Sequence, residues 1–221
     1  MPDTLPSLRF FGLGPRKLPA VLRVPDRPRG LVLFAHGSGS SHRSPRNNRV
    51  SEMLAEAGFA SLLFDLLTIA EAHNRAKVFD IELLAARLVD AMIRMKAEEE
   101  FASLPLGLFG ASTGAGAAVL AAANRPDLVA AVVSRGGRPD LAGADALSRV
   151  RCPVQLIVGG ADHEVIALNR AAAKLLECPH EIVIVPGAGH LFEGPGELEQ
   201  VVDHAAEWFD CHFARGEVEA G

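Results

Sequence analysis

The chain has 221 residues, a formal net charge of −5 and 49% hydrophobic residues. That length suggests one large domain or two small ones, and the apolar share is ample for a packed core, which excludes general disorder. The acidic balance, with basic residues scattered rather than in runs, gives no electrostatic footprint for nucleic acid. No apolar stretch reaches the length of a membrane span, and the opening "MPDTLPSLRFFGLG" has no basic-then-apolar signal region. The expectation is a soluble cytoplasmic protein with neither nucleic-acid nor membrane partners. A homodimer is left open.

In chain order, short runs rich in Leu, Val, Ile and Phe read as strands. They are Leu18–Val24, Leu31–Ala35, Ala60–Phe64, Leu106–Phe109, Val129–Ser134, Val154–Val158 and Glu181–Val185. Most are nearly continuous in apolar character, as parallel strands buried on both faces are. Between them lie helix-like segments: Pro45–Ala57, Phe79–Glu100, Thr113–Asn124, Pro139–Arg149, Val165–Glu177 and Gly196–Ala214. In the second, Ile81, Leu84, Leu88, Ala91 and Met95 form one stripe, while Arg87, Arg94 and Glu98 lie elsewhere. The first two strand runs are joined so briefly that an antiparallel pair between them is allowed. Leu67–Val78 is the one long loop. The alternation implies a single α/β domain, a mostly parallel central sheet with helices on both faces.

The strand at Leu106 ends in "LFGASTGAG", which contains G-x-S-x-G as Gly110, Ser112 and Gly114. A sharp strand-to-helix turn crowds the backbone, and small residues two before and two after the serine relieve it. The helix that follows would aim its positive end at the same spot. The plain alternative is a tight turn with a helix-capping serine. A serine nucleophile also needs a base. "VQLIVGGADHEV" presents Asp162 after one strand, and "EIVIVPGAGHLF" presents His190 after the next. Both fall at the carboxyl edge of the sheet, where ligands bind in open α/β folds. Ser112, Asp162 and His190 are therefore the candidate catalytic triad, with Glu164 second choice as the acid. Asp65 reads as a brace for the neighbouring loops, and His36 as a histidine bonded to its own loop.

An acyl-transfer site also needs donors for the developing oxyanion. The backbone N–H of Thr113 is one, and "LVLFAHGSGSS" supplies the other through the N–H of Ser38, with Gly39 second. Arg43, Arg46, Arg135 and Arg138 fall on loops at the same edge. Arg43 and Arg135 are the candidates for binding a carboxylate or phosphate on the substrate. The alternative is that these arginines pair with Asp65, Glu71 or Asp140 and hold the loops. No cluster has metal-ligand spacing, and the chemistry calls for no cofactor. Cys152, Cys178 and Cys211 are odd in number and widely spaced, so they read as reduced thiols.

Together H-G-x-G, G-x-S-x-G, the strand-terminal Asp162 and G-x-G-H resemble the α/β-hydrolase superfamily, over about Leu18 to Phe213. The small size resembles its dienelactone-hydrolase-like branch. "HGSGSSHRSPRN", "FGASTGAG", "VVSRGGRPDLAG" and "VPGAGHLFEGPG" are similar to predicted hydrolases found beside or fused to phosphoribosyltransferase domains. The resemblance implies hydrolysis of a small ester or lactone through an acyl-enzyme. It departs in two respects, the first being that dienelactone hydrolases use a cysteine where this chain has Ser112. The second is that no phosphoribosyltransferase segment is seen, because no acidic pair precedes a phosphate-binding loop. Only "RGGR" separates Ser134 from the next helix start, so no separate lid domain is expected, and the pocket is expected to be shallow or covered only by Leu67–Val78. An acyltransferase using the same triad, and a non-catalytic small-molecule binding protein of the same fold, are the alternatives.

Overall fold

Continuous apolar runs can be buried on both sides only if helices cover both faces of the sheet they form. In the computed structural model, which describes residues 5–214, that is the arrangement. The strands are β1 (Ser7–Leu13), β2 (Leu18–Val24), β3 (Leu31–Ala35), β4 (Ala60–Phe64), β5 (Leu106–Ala111), β6 (Ala131–Arg135), β7 (Val154–Gly159) and β8 (His180–Val185). Among the described residues they make one eight-stranded sheet in the order β1-β2-β4-β3-β5-β6-β7-β8. From β4 to β8 all neighbouring pairs are parallel.

Alternate residues along each strand serve opposite faces. Leu33, Leu62, Leu108, Val132 and Leu156 pack on one face under α4 (Ile81–Ala97) and α6 (Thr113–Asn124). Val32, Phe34, Phe109, Val133 and Ile157 pack on the other, against α1 (Pro45–Glu56) and α9 (Glu197–Phe213). The remaining helices are α2 (Ile69–Ala72), α3 (Arg75–Val78), α5 (Glu99–Ala102), α7 (Ala144–Arg149) and α8 (His163–Ala173). No helix of the described residues is long and apolar enough to cross a membrane.

Three features differ from the expectations. A strand, β1, precedes the first expected one and pairs antiparallel with β2. β2 also pairs antiparallel with β4 rather than with β3, because β3 sits at the centre between β4 and β5. The loop 67–78 is largely helical: α2 is closed by a capping box between Thr68 and Glu71, and α3 by the Asn74 side chain.

Arg87 lies off the apolar stripe of α4, as the spacing indicated, but is not solvent-exposed. It is buried and donates at 3.0 Å to Glu71 of α2. The Thr68 backbone N–H bonding to its carboxylate, then the Thr68 hydroxyl, Arg87 and Lys77, hold Glu71 down at about 2 against burial.

Candidate active site

Parallel strands put their carboxyl ends on one edge, so the turns after β3, β5, β7 and β8 converge there. At the end of β5 the backbone of Ser112 takes φ +51° and ψ −124°, a conformation costly for a residue with a side chain. Its neighbours allow the turn. A Cβ on Gly110 would lie 2.5 Å from the Cα of Ala115, and one on Gly114 would collide with the carbonyl of Ala35. Ser112 stands at the N-cap of α6, yet its side chain makes no capping hydrogen bond. That disposes of the capping-serine alternative and leaves the hydroxyl unspent.

The same holds for Asp162, which occupies the N-cap of α8 without capping it. Its carboxylate instead accepts a hydrogen bond from His190 Nδ1 at 2.7 Å. A carboxylate only accepts, so Nδ1 carries the proton and Nε2 is left as the basic nitrogen. The runner-up acid, Glu164, makes no such bond to His190. The imidazole lies beside Gly136, where a Cβ would sit 3.7 Å from its Nδ1. Gly136 follows Arg135, whose carbonyl accepts from the Ser112 N–H at 3.4 Å. Among the described residues no hydrogen bond joins His190 to the Ser112 hydroxyl. Such bonds are often long in free enzymes and close when substrate is bound.

The turn after β3 crosses the front of the nucleophile. A Cβ on Gly37 would be 3.0 Å from Ser112 Cβ and 3.7 Å from its Oγ. His36 anchors this turn: its Nδ1–H donates to the Gly37 carbonyl at 2.9 Å, and its Nε2 accepts from the Leu66 N–H at 3.1 Å. Burial pushes the His36 pKa down, in keeping with a neutral ring. Asp65 is the expected brace, accepting from both the backbone N–H of His42 (2.7 Å) and its Nδ1 (2.8 Å). The N–H of Ser38 is already engaged, donating to Thr113 Oγ1 at 2.9 Å. The Thr113 N–H lies in the first turn of α6, as expected.

A cavity of about 240 Å³ opens next to this turn, lined by His36, Ser38, Asp65, Leu67, Ile69 and Val78 among others. The segment 67–78 forms one wall of it, the cover the sequence assigned to that segment. Two larger open clefts of about 610 Å³, at Arg9–Phe101 and Ala123–Pro179, contain none of the candidate residues.

The arginines divide. Arg138 forms a two-pronged pair with Asp140 (2.8 and 2.7 Å), and Arg46 pairs with Glu193 at 2.9 Å. Arg43 is exposed and does not line the cavity. Arg135 does not line it either: it is 7% exposed, on the α1 face behind the Ser112 turn, and its Nη2 donates to Asn47 Oδ1 at 3.4 Å. Its Nε and Nη1 have no partner among the described residues. Burial, with Arg46 nearby, lowers its pKa to about 10. Cys152 and Cys178 are buried thiols pushed up to about 12 and about 11 by that burial, while Cys211 is exposed. No group of three or more acidic, His or Cys side chains could hold a metal ion among the described residues.

A family model described as "Dienelactone hydrolase family" matches residues 18–209. The chain belongs to the dienelactone hydrolase family. It is thus an enzyme of the α/β-hydrolase fold. Among solved structures, a dienelactone hydrolase from Anabaena variabilis is 49% identical, covers 95% of this chain and all of its own, and superposes with a TM-score of 0.89. Est1E from Butyrivibrio proteoclasticus is 17% identical over 94% of this chain and 99% of its own at a TM-score of 0.78, a likeness of fold alone. Two relatives from Mycobacterium tuberculosis, named "Putative phosphoribosyl transferase", are each 57% identical over 200 residues. The match covers 90% of this chain and 45% of each relative, so the chain spans about half their length.

Proposed function

We propose that this dienelactone hydrolase family member is a serine hydrolase of small carboxylic esters or lactones, working through an acyl-enzyme. The observation that carries the reading is the hydrogen bond from His190 Nδ1 to Asp162, which frees Nε2 at the edge where Ser112 follows β5. Ser112 Oγ attacks the carbonyl carbon as its proton passes to His190 Nε2. Asp162 keeps the ring in that tautomer and stabilises its charged form. His190 then returns the proton to the leaving oxygen, and water repeats the sequence on the acyl-enzyme. The Thr113 backbone N–H is one oxyanion donor, and the Ser38 N–H, expected as the second, is bonded to Thr113 Oγ1 in the free protein. The 240 Å³ cavity is lined by Gly37 and Ser38 beside the nucleophile and not by the triad itself. As a side pocket for the acyl or leaving group its size, below the usual range for drug-sized ligands, favours short acyl or small aryl groups.

Arg135 contributes buried positive charge with no carboxylate partner, which favours substrates bearing a second, anionic group. Arg43 is the weaker of the two arginine candidates, being solvated. Transfer to an alcohol or amine in place of water would use the same groups, and product analysis with excess acceptor separates the two. The test of the central reading is a fluorophosphonate label with mass mapping. Labelling confined to Ser112 and lost in Ser112→Ala, together with a fall in ester turnover of about a million-fold, is the expected result. Substantial turnover by Ser112→Ala ends it.

A further inference from the structure

We propose that the side-chain hydroxyl of Thr113 is a catalytic donor to the oxyanion, held and polarised by the backbone N–H of Ser38. The inference rests on Ser112 being the nucleophile and adds a residue to that same site. When Ser112 Oγ bonds to the carbonyl carbon, the carbonyl π pair moves onto oxygen, and that oxygen needs donors already in place. The obvious second donor, the Ser38 N–H, is spent on Thr113 Oγ1 at 2.9 Å.

Thr113 completes the relay. It is 6% exposed and follows the nucleophile directly. Its oxygen accepts from Ser38, yet among the described residues nothing accepts the hydroxyl proton. A threonine inside a helix commonly gives that proton to the carbonyl one turn earlier. Thr113 is the first residue of α6, so no earlier helical turn exists. A buried donor without an acceptor is a costly arrangement unless a ligand supplies one. The location fits, since Ser38 adjoins Gly37 and a Cβ there would lie 3.7 Å from Ser112 Oγ. Accepting one hydrogen bond also strengthens the next bond the same hydroxyl donates.

Steady-state hydrolysis of a short-chain p-nitrophenyl ester by Thr113→Val and Thr113→Ser decides the matter, with thermal melts confirming folding. Thr113→Val keeps the shape and removes the hydroxyl. The expected result is a kcat about 10²-fold lower with KM little changed, and affinity for a boronic acid inhibitor falling in parallel. Thr113→Ser is expected to stay within a few-fold of the wild type. If Thr113→Val does not fold, Thr113→Ala replaces it in the comparison. Unchanged or faster turnover without the hydroxyl would show that Ser38 is the donor and Thr113 only occupies it. Equal losses in Val and Ser variants would reduce Thr113 to a packing role. Either outcome overturns the proposal while fluorophosphonate labelling of Ser112 stands. A wild type that resists the label overturns the nucleophile reading as well.

Discussion

His190 reaches Asp162 across 28 residues of chain through a 2.7 Å hydrogen bond, and that bond determines which imidazole nitrogen is basic. Replacing Asp162 with asparagine keeps the shape but offers an amide that can donate to Nδ1 and so select the wrong tautomer. The expected loss in kcat is about 10⁴-fold, with KM little altered. Stopped-flow or steady-state ester hydrolysis at neutral pH measures it. A loss below tenfold would mean that another group orients the ring.

The parts of this site that the sequence made legible share one property. Ser112, Asp162 and His190 each follow an apolar strand and a glycine-bearing turn, so local pattern alone placed them on one edge. What escaped has a different origin. β1 is an outer strand most of whose residues face solvent, Phe10 at 74% exposure, so it carries little burial periodicity to read. The partner of β2 is a matter of strand order, which no short stretch encodes. The burial of Arg87 escaped because periodicity identifies the apolar face of α4 but says nothing about a partner on another element. The engagement of Ser38 with Thr113 joins residues 75 apart, a contact that only the fold reveals.

The Glu71–Arg87 pair ties the cavity wall formed by α2 and α3 to α4. Glu71 titrates at about 2 in the folded protein against an ordinary 4.5. A depressed carboxylate stabilises above its ordinary value and loses that stabilisation as pH falls toward its folded value. The segment 67–78 is thus expected to loosen between about pH 4.5 and pH 2, while pH above 5 leaves it intact. Amide hydrogen exchange, corrected for intrinsic rates, reads this directly. Glu71→Gln is expected to show fast exchange in this segment already at neutral pH and to lose the acid dependence. Unaltered protection in the variant would show that the segment is held by contacts other than those of the Glu71 carboxylate, whose partners include Lys77 and Thr68 as well as Arg87.

Arg135 presents the opposite balance, a charge held at a cost. Its pKa of about 10, below the ordinary 12.5, means that burial disfavours the cation, although it stays charged at neutral pH. Two of its nitrogens are buried without partners, and its neighbour Arg46 adds repulsion. Arg135→Met, similar in length and uncharged, removes the desolvation cost, so the urea midpoint is expected to rise. If the charge is retained for substrate, the same variant should lose selectivity. The ratio of kcat/KM for a carboxylate-bearing ester over its neutral analogue is expected to fall by about three-fold, the scale of a charge acting through space without direct contact. A higher midpoint with an unchanged ratio would assign Arg135 to structure alone, and a lower midpoint would show that Asn47 compensates the guanidinium more fully than a single 3.4 Å contact suggests.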